Sequence, residues 1–326
     1  MSTRTAQQPR LPGLSEPSGA TDEYAGLSWS YSRRESLDQC TRRHFFQYYA
    51  GALEDPEFRA KVQFLRGVKN RYLRSGELAH LVVGTYFKKM KLGKTLSVDW
   101  GTRWASDLFR EDRKYSAHIR AGGAPVQRQY PPVILDEILS DGDDHDKLLS
   151  RAEEQMLSSI HHFFTSPVFL EFRELGASPD SYIERKLLLR GFPAPVSGKV
   201  DLAAKNNSCV TIVDWKIGTA SDGGAESLQL ATYGLWAAAE FAVSEDMVRI
   251  AKAHLASQEI VEFKADRQAF ANARVRILQD LERMVILHRY GTSGVIEAFT
   301  PNPQQGVCRL CPFREVCPEG RAIINA

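Results

Sequence analysis

Asp201, Asp214 and Lys216 are the residues of this chain whose types and spacing most directly suggest chemistry. Two carboxylates brought close together repel each other unless a cation lies between them. A hard divalent ion such as magnesium takes carboxylate oxygens and keeps several waters. An ammonium beside such an ion can orient or activate a water, or offset charge that builds on a phosphate. The flanking pattern supplies a way to bring the three together. Val196, Gly198, Val200 and Leu202 alternate with Ser197, Lys199, Asp201 and Ala203; Asn206-Asn207 then offers a turn, and Val210 to Ile217 reads as the return strand of a hairpin. Pairing Lys205 with Ser208 sets Asp201 opposite Ile212 and makes Asp214 its diagonal neighbour, about 7–8 Å away at the backbone. Lys216 shares the face of Asp214. Taken alone, the same residues also fit a solvated hairpin face of mixed charge.

A second constellation closes the chain. Cys308-Arg309-Leu310-Cys311-Pro312 is followed by Cys317-Pro318, a spacing that suits a soft metal. Three thiolates leave one position open, and Cys40 and Cys209 are both candidates that spacing does not separate. An odd, sparse set of five cysteines argues against a disulfide framework.

The elements that must position these groups follow from the rest of the chain. Its 326 residues, 43% hydrophobic and 25% charged, are enough for one large domain or two modest ones. A net charge of +2 does not announce nucleic acid, so any basic surface must be local. No apolar run is long enough to span a bilayer, and Met1 to Arg10 lacks a signal-peptide core; a cytoplasmic protein is the default expectation. Gly93-Lys94-Thr95 fails as a phosphate loop because Lys88 stands where the first glycine is required. A helicase motor, if this chain works with one, is then a separate protein. Gly-x-Ser-x-Gly and His-Glu-x-x-His signatures are missing as well.

Residues 1–27 carry Pro9, Pro12 and Pro17 and no periodic pattern, so a disordered tail is expected, with order beginning near Trp29. Ser32-Arg33-Arg34-Glu35 fits a capping box and predicts a helix from Arg33 through Tyr49. Its Arg33, Arg34, Arg42, Arg43 and His44, interleaved with aromatic residues, suit a nucleic-acid contact or a solvated basic face. A second helix is expected over Glu57–Tyr72, and a third after Ser75. The third carries Gly76, His80 and Gly84 on one stripe. Each glycine costs such a helix about 1 kcal/mol, which implies close approach of something to the stripe that holds His80. Residues 95–175 read as mostly helical, with Trp100, Trp104, Met156 and Phe163 at core spacing. Asp141 to Asp146 resembles the start of a calcium loop, but Asp146 replaces the required glycine and Ala152 the bidentate glutamate, which leaves a polar turn. Then come a strand over Ser181–Arg190 that carries Glu184, the hairpin, a helix over Ala225–Phe241 with Gln229 and Tyr233 one turn apart, strands over Val248–Leu255 and Glu259–Lys264, and a long helix over Asp266–Tyr290. This order predicts an α/β fold, a mixed central sheet flanked by helices.

Together these pieces resemble the PD-(D/E)XK nuclease superfamily, and within it the RecB-like branch: the nuclease domains of RecB and AddB and the CRISPR-associated RecB-like exonucleases. Gly76-x-x-x-His80 looks like the branch's first motif, in which the histidine binds metal. Gly198-x-Val200-Asp201 looks like the second, and Asp214-Trp215-Lys216 like the third. The resemblance implies Asp201 and Asp214 as metal ligands, the Trp215 backbone carbonyl as a further one, and Lys216 as catalytic lysine. Gln229-Leu230-Ala231-Thr232-Tyr233 looks like the Gln-x-x-x-Tyr motif that contacts nucleic acid, so Gln229 and Tyr233, with Arg42 and Arg43, are candidate DNA contacts. Members of the branch hold a [4Fe-4S] cluster on one upstream and three C-terminal cysteines. This selects Cys40 with Cys308, Cys311 and Cys317, although Thr41 stands where the family has proline. By chemistry four cysteines suit structural zinc equally well.

The resemblance implies a restriction-endonuclease-like fold: N-terminal helices over 28–93, a helical insertion over 94–178, the nuclease core over 179–300 and a cysteine-rich segment over 301–326. It also implies a magnesium- or manganese-dependent deoxyribonuclease, an exonuclease on DNA ends or single strands. Such an enzyme serves DNA repair, recombination or defence, alone or with a helicase or CRISPR-type partner. A non-cleaving DNA-binding scaffold with the same fold and cluster is the alternative.

Overall fold

The structure is a computed structural model that describes residues 22–126, 132–140, 144–206, 209–218, 227–263 and 266–325. Its helices are α1 (Tyr31–Gln39), α2 (Thr41–Tyr48), α3 (Pro56–Arg66), α4 (Arg71–Met90), α5 (Val98–Arg120), α6 (Asp136–Leu139), α7 (His145–Thr165), α8 (Leu170–Ala177), α9 (Ser227–Glu240), α10 (Arg267–Thr292), α11 (Gln305–Arg309) and α12 (Pro318–Asn325). Its strands are β1 (Val68–Lys69), β2 (Ile134–Leu135), β3 (Tyr182–Leu189), β4 (Val196–Asn206), β5 (Cys209–Lys216), β6 (Val248–His254) and β7 (Glu259–Phe263). Two compact units divide the described residues. The first lies within Met1–Arg34, Gly84–Thr95 and Ser166–Ile286, the second within Glu35–Val83, Leu96–Thr165 and Leu287–Ala326. Among the described residues no helix is long and apolar enough to cross a membrane.

The first unit is built on a five-stranded sheet of order β3-β4-β5-β6-β7. Only the β5–β6 pair is parallel, and α9 makes that crossover. The strands carry Val210, Ile212, Val248 and Ile250 on the face that α9 covers with Leu230, Tyr233 and Trp236. A methyl group on Gly234 would come within 2.5 Å of Phe270, so this glycine lets α9 press against α10. On the other face Trp215 lies among Phe87, Phe169 and Phe172, with ring centroids 6.3, 6.1 and 6.0 Å away. The mixed sheet with flanking helices is the α/β arrangement expected from the element order.

Within the second unit, Phe45 and Phe46 of α2 pack with Val62, Leu65, Phe299 and Phe313 into one core. β1 and β2 form a short parallel ribbon. Asp112 of α5 is buried and binds Arg74 at 2.6 Å.

Three boundaries differ from the sequence reading. The helix expected over Arg33–Tyr49 starts at Tyr31, with Ser30 rather than Ser32 accepting the Arg33 N–H at 3.2 Å. It is broken by Cys40, whose backbone is extended (φ −166°, ψ 116°). The helix expected over Glu57–Tyr72 ends at Arg66, because Val68 and Lys69 pair with β2, a partner distant in sequence. The next helix starts at Arg71, where Asn70 Oδ1 caps the Leu73 N–H at 3.0 Å, so Ser75 is helix interior. The β4–β5 hairpin is slipped by two residues from the expected pairing: Asn206 faces Cys209 and Ala203 faces Ile212. A slip of two keeps every side chain on its face, so the hydrophobic pattern cannot distinguish the two registers. Asn207 of the expected Asn206-Asn207 turn, Ser208, most of the proposed disordered tail and Asp141 to Asp143 of the polar turn lie outside the described residues.

Candidate metal centre and cysteine pocket

The observed register bears on the acidic pair. The ladder ends at Leu202↔Val213, so Asp201 and Asp214 are the next residues along the two strands. There the Trp215 N–H turns to Asp201 Oδ2 at 3.0 Å. Both acids are buried, at 6% and 4% exposure, and Lys216 Nζ sits 2.9 Å from Asp214 Oδ2. Gly198 of the second motif is matched by close packing, since a methyl group there would come within 3.3 Å of Leu187.

A third acid joins the pair. The β3–β4 register is the same on both sides of Glu184 (Ile183↔Leu202, Arg185↔Val200), so Glu184 stands opposite Asp201. Its backbone is left-handed, φ 52°. For a residue other than glycine this conformation costs about 1–2 kcal/mol and persists only where the surroundings impose it. Glu184 pairs with Lys199, and its Cγ fills the space that a methyl group on Gly84 would occupy, 2.8 Å from that position. This is the close approach that the glycine stripe of α4 implied. Sequence reasoning saw Glu184 on its strand but had no register to connect it with Asp201.

On the far side of the pair, Lys252 is paired with Asp214 and His254 with Lys216 in the parallel β5–β6 ladder. Both are buried, at 8% and 4%. Glu184, Asp201, Asp214 and Lys252 therefore form one row across four strands. The available signal was Ala251-Lys252-Ala253-His254, two basic residues at alternate positions of an otherwise apolar strand that parallel pairing buries on both faces.

Tyr233 of α9 reports the field of this row. Its hydroxyl accepts a hydrogen bond from Gln229 Nε2 at 2.8 Å. Its pKa is driven far above the ordinary 10.0, first by burial, then by the charges of Asp214 and Asp201 and, less, of Glu184, against the lowering effect of Gln229. The native phenol thus keeps its proton where an unfolded chain loses it. Its stabilising contribution is complete below the unfolded value and falls as pH rises beyond it. Between about pH 10 and 12, wild type should lose stability more steeply than Tyr233→Phe, as measured by denaturant unfolding at each pH.

Three carboxylates in one partly buried row fit a hard divalent cation, which takes oxygen ligands. Glu184→Gln removes one negative oxygen donor and should weaken manganese binding by about tenfold or more, measured calorimetrically. His80 lies half-buried one turn before Gly84 on α4, within the second unit.

All four cysteines of the proposed cluster line one pocket of the second unit: Cys40, Cys308, Cys311 and Cys317, with Arg42, Arg43 and Arg314 around them. The C-terminal segment is tied to α1 and α2 beside it. Arg42 Nε donates to the Phe299 carbonyl at 2.9 Å, Asn302 Nδ2 to the Gln39 carbonyl at 3.1 Å, and the Asn302 N–H to Cys40 Sγ at 3.4 Å. Arg314, between the second and third cysteines of this segment, holds Asp136 at 2.7 Å. Burial pushes the Cys311 thiol up to about 11, and the neighbouring Cys40 and Cys308 raise it further against the opposing pull of a Phe313 backbone bond and Arg43. A buried thiol held up in this way suits a cation that would stabilise its thiolate. Cys209 is not among them; it closes the β4–β5 hairpin in the first unit. Arg42 and Arg43, expected to face nucleic acid, are partly buried here, with Arg43 bonded to Gln39 Oε1 at 2.7 Å.

Residues 28–318 match the profile of the PD-(D/E)XK nuclease superfamily, a span that takes in both constellations. The chain belongs to that superfamily. Its members are nucleases that use divalent metals, in accord with the acidic row described above. No curated protein matches the chain. Among solved structures, one titled "Crystal structure of SSO0001" is similar over 74% of this chain and 96% of its own, at 14% identity and a TM-score of 0.30.

Proposed function

We propose that this superfamily member is a deoxyribonuclease whose centre is the Glu184–Asp201–Asp214 row with Lys216. The observation that supports the reading is a pair of buried carboxylates just past the end of the β4–β5 ladder, Asp201 bonded by the Trp215 N–H and Asp214 with an ammonium at 2.9 Å. By the resemblance of Gly76-x-x-x-His80 to the first motif, His80 is assigned as a further ligand, giving a donor set of one imidazole and carboxylates; the Trp215 carbonyl is another candidate. Bound magnesium or manganese supplies a Lewis acid for the phosphoryl oxygen and a water of lowered pKa.

The chain's own residues supply the rest. Lys216 positions the attacking water and offsets charge on the phosphoryl oxygens. Asp201 is held for its role by the Trp215 N–H. Gln229, more exposed than Tyr233, offers its amide to the strand, while Tyr233 orients that amide from the core. The reaction joins the water oxygen to phosphorus and breaks one phosphorus–ester oxygen bond, leaving a phosphate monoester and a hydroxyl. Exonuclease action on DNA ends or single strands, a RecB-like lineage, and roles in repair, recombination or defence beside a helicase or CRISPR-type protein complete the reading. They rest on the motifs of the sequence.

The cysteine pocket is assigned a structural [4Fe-4S] cluster on Cys40, Cys308, Cys311 and Cys317; its arginines offset the cluster's negative charge. Zinc is the competing occupant.

End-labelled single-stranded DNA incubated with manganese tests the function. Shortened products that vanish with EDTA are expected. Binding without any product would favour a non-cleaving scaffold.

A further inference from the structure

Lys252 has no part in the chemistry derived so far, yet it is the one charged residue of the row that comes from β6. It is 8% exposed. Its two register partners are Asp214 on β5 and Val261 on β7, and of these Asp214 carries a countercharge. A buried ammonium is tolerated only where an opposite charge compensates it. Asp214 thus stands beside two lysines, Lys216 at 2.9 Å along its own strand and Lys252 in register on the next. Around the row the formal charges of Glu184, Asp201 and Asp214 are matched by those of Lys199, Lys216 and Lys252.

We infer that Lys252 is a positioning and charge-balancing residue of the metal centre, one that neutralises the row before cation and phosphodiester arrive and weakens its hold on a free divalent ion. The inference rests on the proposed metal site. A neutral row gains a charge of +2 from one divalent cation, opposite in sign to the phosphate it must then accept. Without Lys252 the row would begin at −1 and hold the free ion more tightly. The sign separates this role from a merely structural one, because damage to the site weakens cation binding whereas removal of a competing charge strengthens it. A divalent ion and an ammonium about one side chain apart repel, even at the dielectric of water, by enough to shift affinity roughly tenfold.

The test is calorimetric titration of the whole protein with manganese alone. Lys252→Met, which keeps the stem without the charge, is expected to bind at least about tenfold more tightly than wild type, and Lys252→Arg within about twofold of it. Thermal melting verifies that each variant is folded; if Lys252→Met does not fold, Lys252→Gln carries the same comparison. Manganese affinity that is unchanged or weaker in a folded neutral variant overturns the inference and leaves the metal site standing. A wild-type protein that binds no manganese overturns both.

Discussion

Asp214→Ala and Lys216→Ala are each expected to lower metal-dependent DNA cleavage by about a hundredfold or more while the protein stays folded. The two losses have different causes. Asp214 is the acid of the row that stands in register with Lys252, and Lys216 lies 2.9 Å from it. Without it the ion loses a carboxylate and Lys252 loses its register partner. In the proposed mechanism Lys216 offsets charge on the phosphoryl oxygens, and removal of one such preorganised group typically costs 10²–10³-fold. Neither side chain belongs to the apolar packing between α9 and the sheet, which Leu230, Trp236, Ile212 and Ile250 provide. Residues that serve chemistry are often poor for stability, so melting temperatures within a few degrees of wild type are expected. Cleavage that persists in both purified variants would remove the site assignment.

The second large effect concerns the cysteine pocket. Cys308→Ser should abolish the visible absorbance of anaerobically purified protein and destabilise the second unit by about 4 kcal/mol or more, as expected for loss of a structural metal group. The magnitude follows from what the segment lacks otherwise. Its helices α11 and α12 are five and eight residues long, too short to hold by themselves. Phe313, the Arg314–Asp136 pair and the bonds to Phe299, Gln39 and Cys40 are what anchor it besides the thiolates. Limited proteolysis of the variant should cut first within residues 300–325. A colourless wild-type protein with one zinc would replace the cluster by zinc and leave the stability prediction intact; retained stability in Cys308→Ser would contradict a structural role for either metal.

The sequence made the acidic pair legible because alternation along a strand fixes which face a side chain takes. It could not fix which residue lies opposite which. A two-residue slip leaves Asp201 and Asp214 on the same face, so the expected register and the observed one look alike in the pattern. Glu184, Lys252 and His254 escaped for a related reason: their place in the site depends on strand neighbours that only the tertiary fold decides. Helix limits failed where distant partners took over. Val68 left its helix for Ile134, and Cys40 broke another helix beside a segment some 260 residues away, near Asn302. The glycine stripe of α4 was informative because glycine inside a helix is costly, and Gly84 does admit Glu184. The arginines of α2, whose spacing beside aromatic residues suits nucleic acid, also bond within the chain, Arg42 to a backbone carbonyl and Arg43 to a glutamine.

Crystals soaked in manganese give the most direct view of the central claim. An anomalous peak within coordination distance of the carboxylates of Asp201 and Asp214 is the predicted result. Full occupancy of those two side chains with no peak between them would contradict it.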